Sequence, residues 1–481
     1  MGLGTLLWVI TLVMCGAFLY ISWRVKDSAA LSFSNYAIGS GTFPIYLVLF
    51  TQFATIMGVG NFIGHAGKGY SVGLPWMAFI LGEQGSKIIF ALFFAGLAGK
   101  FTYNTFTEMI DDLMVNDKVT RALGGLLASM IMIAWVGGQG KAFGNIFRIV
   151  TGANELPIIL LFSGVFILYT TLGGIYSVVW TDLLQGVMVV IFGVAFYIYA
   201  FSPVHWSFAE LGTRLADVGK GELWTFSGVP PITLITNFVT GCVGILAAQI
   251  YWQRCFAAKD AKTARNGLLW SGIAAIIMVM LTAFVGMVVL TMNQGLKPDD
   301  AMPWFMMNYV PVGVSAMIFA LVLAAGMSSA DSNLNSASIL VVNDLIKPFN
   351  PQLSDEQLVK YAKYLTVVIG IFAALAAIYA SSILGLFSRA YAMAGGGLVP
   401  LLLVGLIWKE NPAEGFQMGK KNSKVTPWGA RIGIVSGAVL SQVTALGPNR
   451  VLIALVVSAL LIVVVSSMTR EKMNKDTVKT V

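Results

Sequence analysis

Charge is what this sequence has least of. Of its 481 residues only 11% are Asp, Glu, Lys or Arg, under half the roughly 25% carried by water-soluble domains. Apolar residues make up 57%, and the mean hydropathy is +0.81. A chain so short of charge cannot cover a surface that faces water, so it is expected to reside in a lipid bilayer. No polar stretch is long enough for a separate soluble domain. Cysteine and histidine are equally scarce: Cys15, Cys242 and Cys255 lie far apart, and His65 and His205 stand alone. A disulfide framework and a zinc constellation are therefore excluded, and thiol and metal-redox chemistry with them.

The apolar runs are helix-length and lack the alternation of barrel strands, so the expected fold is all-α and integral to the membrane. About thirteen spans are expected, among them 44–64, 74–98, 122–148, 157–172, 177–202, 229–251, 312–343, 383–407 and 428–446. An odd number puts the termini on opposite sides. Most of the 30 basic residues, including Arg254, Lys259, Lys262, Arg265 and the Lys420, Lys421, Lys424 group, fall on the cytoplasmic side if the amino terminus is outside. The net charge of +8 thus reads as a topology signal, and no nucleic-acid partner is expected. The first helix lacks the basic start and cleavage site of a signal peptide and is read as a span.

Ionisable groups inside a bilayer are expensive and mark transport paths by default. Those within or beside spans are Glu83, Lys87, Lys141, Arg148, Asp182, Asp331 and Arg389. Glu83 and Lys87, four residues apart, either neutralise each other or face a solute; Arg148 and Arg389 read as snorkelling side chains.

Two spans depart further from plain hydrocarbon. The run from Phe53 to Gly64 holds glycines at 58, 60 and 64, each weakening a helix by about 1 kcal/mol relative to alanine. Its middle is expected either to unwind and offer carbonyls or to pack closely on a neighbour. The run from Ala324 to Ser336 places Ala325, Ser328, Ser329 and Ser332 on one helix face. A carbonyl and three hydroxyls can line one groove there, a ligand set suited to a hard cation such as sodium. A small-residue packing seam would account for the alanines and serines, but not for Asp331 and two asparagines beside them.

With these segments, together with Gly173–Gly174 through Trp180, Thr181, Asp182, Gln185 and Gly186, with Gln249 through Gln253–Arg254 and Ala257–Asp260, and with Gly326 through Asn343–Asp344, the chain resembles the sodium/solute symporter family over about residues 20 to 445. The resemblance implies a LeuT-type core of ten helices in two inverted five-helix repeats, with one helix before and two after. The corresponding division is 1–43 (first helix and cytoplasmic loop), 44–202 (first repeat), 203–228 (extracytoplasmic loop), 229–407 (second repeat) and 408–481 (two peripheral helices and cytoplasmic tail).

The resemblance also implies a sodium site built from carbonyls of Ala54, Met57 and Ala325 and hydroxyls of Ser328 and Ser329. Asp182, Asp331 and Ser332 become candidates for a second ion or for gating. Asp331 stands where the two-sodium pattern has a hydroxyl. Asn61, Glu83, Lys141, Asn237 and Gln249 are the expected solute contacts. The expected function is sodium-coupled symport of a small polar organic solute into the cell, across the plasma or bacterial inner membrane, with sodium as the co-transported ion. Proton coupling through Asp182 or Asp331 is the alternative within transport. An integral-membrane enzyme is the alternative outside it, against which stands the lack of a paired-acid or His-rich constellation. The sequence leaves the oligomeric state and the identity of the solute open.

Overall fold

The computed structural model describes residues 2–29, 31–56, 58–380 and 382–479. Its described residues form helices and connecting loops, with β-pairing limited to two isolated bridges. The principal helices are α1 (Leu3–Ala29), α2 (Ile45–Ile56), α3 (His65–Val72), α4 (Met77–Phe93), α5 (Lys118–Thr151), α6 (Glu155–Ala200) and α7 (Pro231–Ala247). They continue with α8 (Gln249–Ala257), α9 (Ala261–Met292), α10 (Val312–Leu340), α11 (Asp355–Tyr379), α12 (Ile383–Ile407), α13 (Pro427–Leu440) and α14 (Arg450–Lys479). Helices that begin in polar loops are capped by side chains: Asp117 for α5, Asp260 for α9, Ser382 for α12, Thr426 for α13, and a Ser354–Gln357 capping box for α11. Each cap supplies an acceptor to a first-turn N–H that has no partner within its helix.

Among the described residues nine helices are long and apolar enough to cross a membrane, or ten if α7 and α8, bent by 44°, make one span. The expected thirteen are not reached on that measure, and the reasons are local. The glycine-rich second span is broken into α2, a π-helical turn over Gly60–Gly64 and α3, each too short alone. The spans expected at 157–172 and 177–202 both form, as the two limbs of α6 on either side of a break at Gly174, and count as one helix among the nine. Gly174 turns that helix with φ 49° and ψ −144°, a conformation that disfavours any side chain, and Tyr36 fills the space a Cβ would need. The span expected at 428–446 contributes only the 14 residues of α13.

Helix α10 runs through the centre, with every residue from Ile318 to Leu340 buried. Its serines and asparagines therefore face protein rather than lipid, as intramembrane polar groups must. Close approach elsewhere relies on glycine. A Cβ on Gly82 of α4 would run into the Phe238 carbonyl of α7, and one on Gly241 of α7 into the Phe79 carbonyl and Glu83 N–H of α4. This contact fixes the turn of α4 that carries Glu83. On the break after α2, Gly60 and Gly64 lie against Phe387 and Leu384 of α12, so its glycines both interrupt a helix and allow tight packing.

Candidate functional site: a buried oxygen groove beside a central cavity

The hydroxyl face of α10 meets α2 and α6 in a fully buried polar cluster. Asp182 of α6 accepts hydrogen bonds from Thr51 of α2 through Oδ2 and from Ser328 of α10 through Oδ1. Arg254 of α8 donates to Thr51 Oγ1 at 3.0 Å and to Ser332 Oγ at 2.8 Å, and lies 3.7 Å from Asp182. Asp331 is reached by the Thr181 hydroxyl at 3.5 Å. Its other oxygen is buried with no hydrogen-bond partner among the described residues. Two acids thus lie in the cluster, of which Asp182 pairs with the Arg254 guanidinium. A hydroxyl has one donor and two acceptor positions, so Ser328 can donate to Asp182 and still turn lone pairs toward a cation.

Of the expected sodium ligands, Ala54, Ala325 and Ser328 are fully buried and Ser329 is nearly so. Met57 lies outside the described residues. Ser329 faces differently from its neighbour Ser328: it lines a central cavity, while its carbonyl accepts from Asn333 Nδ2 at 2.5 Å.

That cavity, about 50 Å³, has room for a few waters. Asn61, Glu83, Lys87, Trp135, Tyr251 and Tyr391 are among its lining residues. Trp76 Nε1 donates to His65 Nδ1 at 3.0 Å, and His65 Nε2 lies 3.0 Å from Glu83 Oε2. Because an indole N–H can only donate, His65 Nδ1 must accept, so a neutral imidazole donates from Nε2 to Glu83. Glu83 also accepts from Gln84 Nε2 at 2.8 Å and from Tyr391 at 2.8 Å, and Tyr391 in turn accepts from Trp135 Nε1 at 3.0 Å. Lys87 donates to Gln84 Oε1 at 2.7 Å, with its ammonium 5.5 Å from the Tyr251 ring centre. Gln84 stands between Lys87 and Glu83, in place of the direct neutralisation expected from their spacing.

Three expected solute contacts lie elsewhere. Lys141 lines a separate cavity of about 350 Å³ and pairs with Glu155 at 3.1 Å. Arg148, expected to snorkel, joins the same wall, 2.6 Å from Glu155 and 2.7 Å from Asp300. Burial pushes the nearby Asp299 carboxyl above its ordinary range, against the Ile383 N–H that it accepts. Asn237 lines a third cavity with Trp76 and Phe79. Gln249 is buried at the α7–α8 bend, accepting from Phe106 N–H and donating to the Asn104 carbonyl, each at 3.0 Å, so its amide satisfies loop backbone. The sequence reading in turn passed over Gln84, Trp135, Gln139, Tyr251 and Tyr391 in the central cavity, His65 behind Glu83, and Thr51 and Arg254 in the groove. Only for Arg254 was there a signal, a cation next to a predicted span.

The family model described as "Sodium:solute symporter family" matches residues 36–420. Among curated proteins the chain is similar to a sodium/sialic acid symporter of Proteus mirabilis, 26% identical over 436 residues and covering 86% of each chain. It is also similar to a sodium/glucose cotransporter of Vibrio parahaemolyticus, 25% identical and covering 85% of this chain and 81% of that one. Among solved structures, a Na+-coupled sialic acid symporter in a substrate-bound outward-open state aligns with a TM-score of 0.80, at 20% identity, over 96% of this chain and 98% of that chain. At that identity the structural likeness speaks for the fold, and the family match extends over most of the chain.

Proposed function

The chain belongs to the sodium:solute symporter family, and from that premise we propose how its residues divide the work. It is a multi-pass membrane protein of LeuT-type fold that moves solute with sodium as the co-transported ion, and it is a transporter rather than an enzyme. In our reading sodium is held by the carbonyls of Ala54, Met57 and Ala325 and the hydroxyls of Ser328 and Ser329. Asp182, Asp331 and Ser332 serve ion release, gating or a second ion. The solute, a small polar organic molecule like those for which the relatives are named, occupies the central cavity beside Asn61 and Glu83. Residues 44–202 and 229–407 form the two inverted repeats. The amino terminus faces outward and the carboxy terminus inward in the cell membrane, the direction favoured by the basic residues.

One observation carries this reading: Ser328 bonds to Asp182 in the groove, while Ser329, the next residue, lines the central cavity. An ion that draws both hydroxyls together positions a cavity wall at the same time. Sodium and solute then favour the same closed arrangement, and by linkage each raises the other's affinity. Rocking of one helix bundle against the rest opens the site inward, where low sodium empties it. A tenfold sodium gradient is worth about 1.4 kcal/mol and 100 mV adds about 2.3 kcal/mol per charge, so one sodium holds a neutral solute at roughly a few hundredfold accumulation. Uptake into proteoliposomes under a sodium gradient tests the assignment, with potassium as the control. Equal uptake in the two salts would remove it.

A further inference from the structure

The central cavity carries information about its solute beyond size and polarity. Glu83, although charged, is already engaged: His65, Gln84 and Tyr391 donate to its two oxygens at 2.8 to 3.0 Å. Lys87 is in the opposite position. Its ammonium, on a side chain 2% exposed, has three hydrogens, and one recorded bond, to Gln84 Oε1. No carboxylate among the described residues lies within ion-pair distance of it. The strongest partner for the remaining hydrogens is a carboxylate, and none is supplied by the described residues.

The other walls call for the opposite chemistry. Gln139 Oε1 and Asn333 Oδ1 are buried acceptors with no donor among the described residues, on side chains that line the cavity. Gln139 stands one turn beyond Trp135 on α5. The Trp135 ring meets those of Tyr251 and Phe387 at 6.3 Å and that of Tyr391 at 5.7 Å, all near edge-on. Aromatic faces beside unpaired amide oxygens suit an ammonium group. Glu83 and Lys87 cancel in formal charge, and the Gln139 and Asn333 oxygens are left for a donor on the solute. A solute that offers a carboxylate to Lys87 must therefore bring its own cation.

We propose that the solute is a compact zwitterion, its carboxylate held by Lys87 and its ammonium by the Trp135, Gln139 and Asn333 wall. This rests on the reading that the central cavity is the solute site. It makes Lys87 the specificity-determining residue, and it makes transport electrogenic, because a neutral cargo leaves the sodium charge uncancelled.

The test is a melting-temperature screen of the purified full-length protein in sodium and in potassium. The probes are L-proline, β-alanine and glycine betaine as zwitterions, L-lactate as anion, choline as cation and D-glucose as neutral polyol. A rise of several degrees in sodium with at least one zwitterion, and none with the other three classes, is expected. Lys87→Met should abolish that rise while keeping the shift produced by sodium alone. Should the variant not fold, the amide of the responding zwitterion, which lacks the carboxylate, provides the same test on the parent protein and should give no rise. Stabilisation by glucose, lactate or choline alone, or by no zwitterion, overturns the proposal. A sodium-dependent response to glucose would do so while leaving sodium coupling intact. A zwitterion response equal in both salts would support the cargo and defeat sodium coupling at this site.

Discussion

Replacing Ser328 with alanine isolates the ion from the solute. In the structure its hydroxyl hydrogen goes to Asp182 Oδ1, which leaves its lone pairs for sodium. Ser328→Ala removes one of five proposed ligands, and an oxygen's interaction with a charged partner is worth about 1.5–3 kcal/mol. At 1.4 kcal/mol per factor of ten, the half-activating sodium concentration should rise by about 10- to 100-fold. Ser328 does not line the central cavity, and saturating sodium refills its site, so the coupling left to the solute is at the small end, about 0.5 kcal/mol. Apparent solute affinity at saturating sodium should therefore change by no more than about two- to threefold. Sodium activation of uptake in proteoliposomes gives the first number, and a solute titration at saturating sodium the second. Thr51→Val is the control, since it removes the other hydroxyl donor to Asp182 without touching the proposed ligands, and it should shift the sodium curve far less. A folded Ser328→Ala protein with an unchanged sodium curve, or with both affinities falling in parallel, would refute the assignment.

Three further expectations concern the frame around the site. Arg121 bonds Asp344 at 2.9 Å and the Asn343 carbonyl at 2.8 Å, so Arg121→Met leaves a fully buried carboxylate without its cation and should destabilise by about 3–5 kcal/mol, read as a lower melting temperature. Gly82→Ala drives a methyl into the Phe238 carbonyl and should cost about 1–3 kcal/mol, measured the same way, with Gly96→Ala, which meets open space, as the neutral comparison. Burial pushes Asp117 up, but Arg431, bound to both its oxygens at 2.7 and 2.9 Å, and Thr120 hold it down to about 2. A carboxyl held low stabilises the fold above its unfolded value, near pH 4, and loses that contribution as pH falls through about 2. The melting temperature of Arg431→Met should accordingly lie below that of the parent at pH 5 to 7, with the gap closing as pH drops from 4 toward 2.

Periodicity reveals which residues share a face, and this is why the serines of α10 were legible in the sequence. Glu83 was legible because a charge at membrane depth needs a reason to be there. Depth itself was harder to judge. Lys141 sits well inside an apolar run, yet α5 is 34 residues long and extends about 51 Å, so the helix continues beyond the hydrocarbon and Lys141 reaches Glu155. Trp135 and Tyr391 looked like ordinary packing residues, since one strand of sequence cannot show that the indole N–H and the phenol meet between α5 and α12. His65 was set aside as solitary, although its partners Trp76 and Glu83 lie 11 and 18 residues away. The division of the second span was anticipated from its glycines. The break at Gly174 likewise falls in the gap left between the spans expected at 157–172 and 177–202.

The one-residue step from Ser328 to Ser329 has a consequence for descent with modification. A lineage can retool its cargo by exchanging rings and amides on α5, α8 and α12 while the serine pair stays untouched. The reverse route is narrower: Ser329 borders the cargo as well as the ion seat beside it, so a change there touches both, and diet is free to diversify where fuel is not.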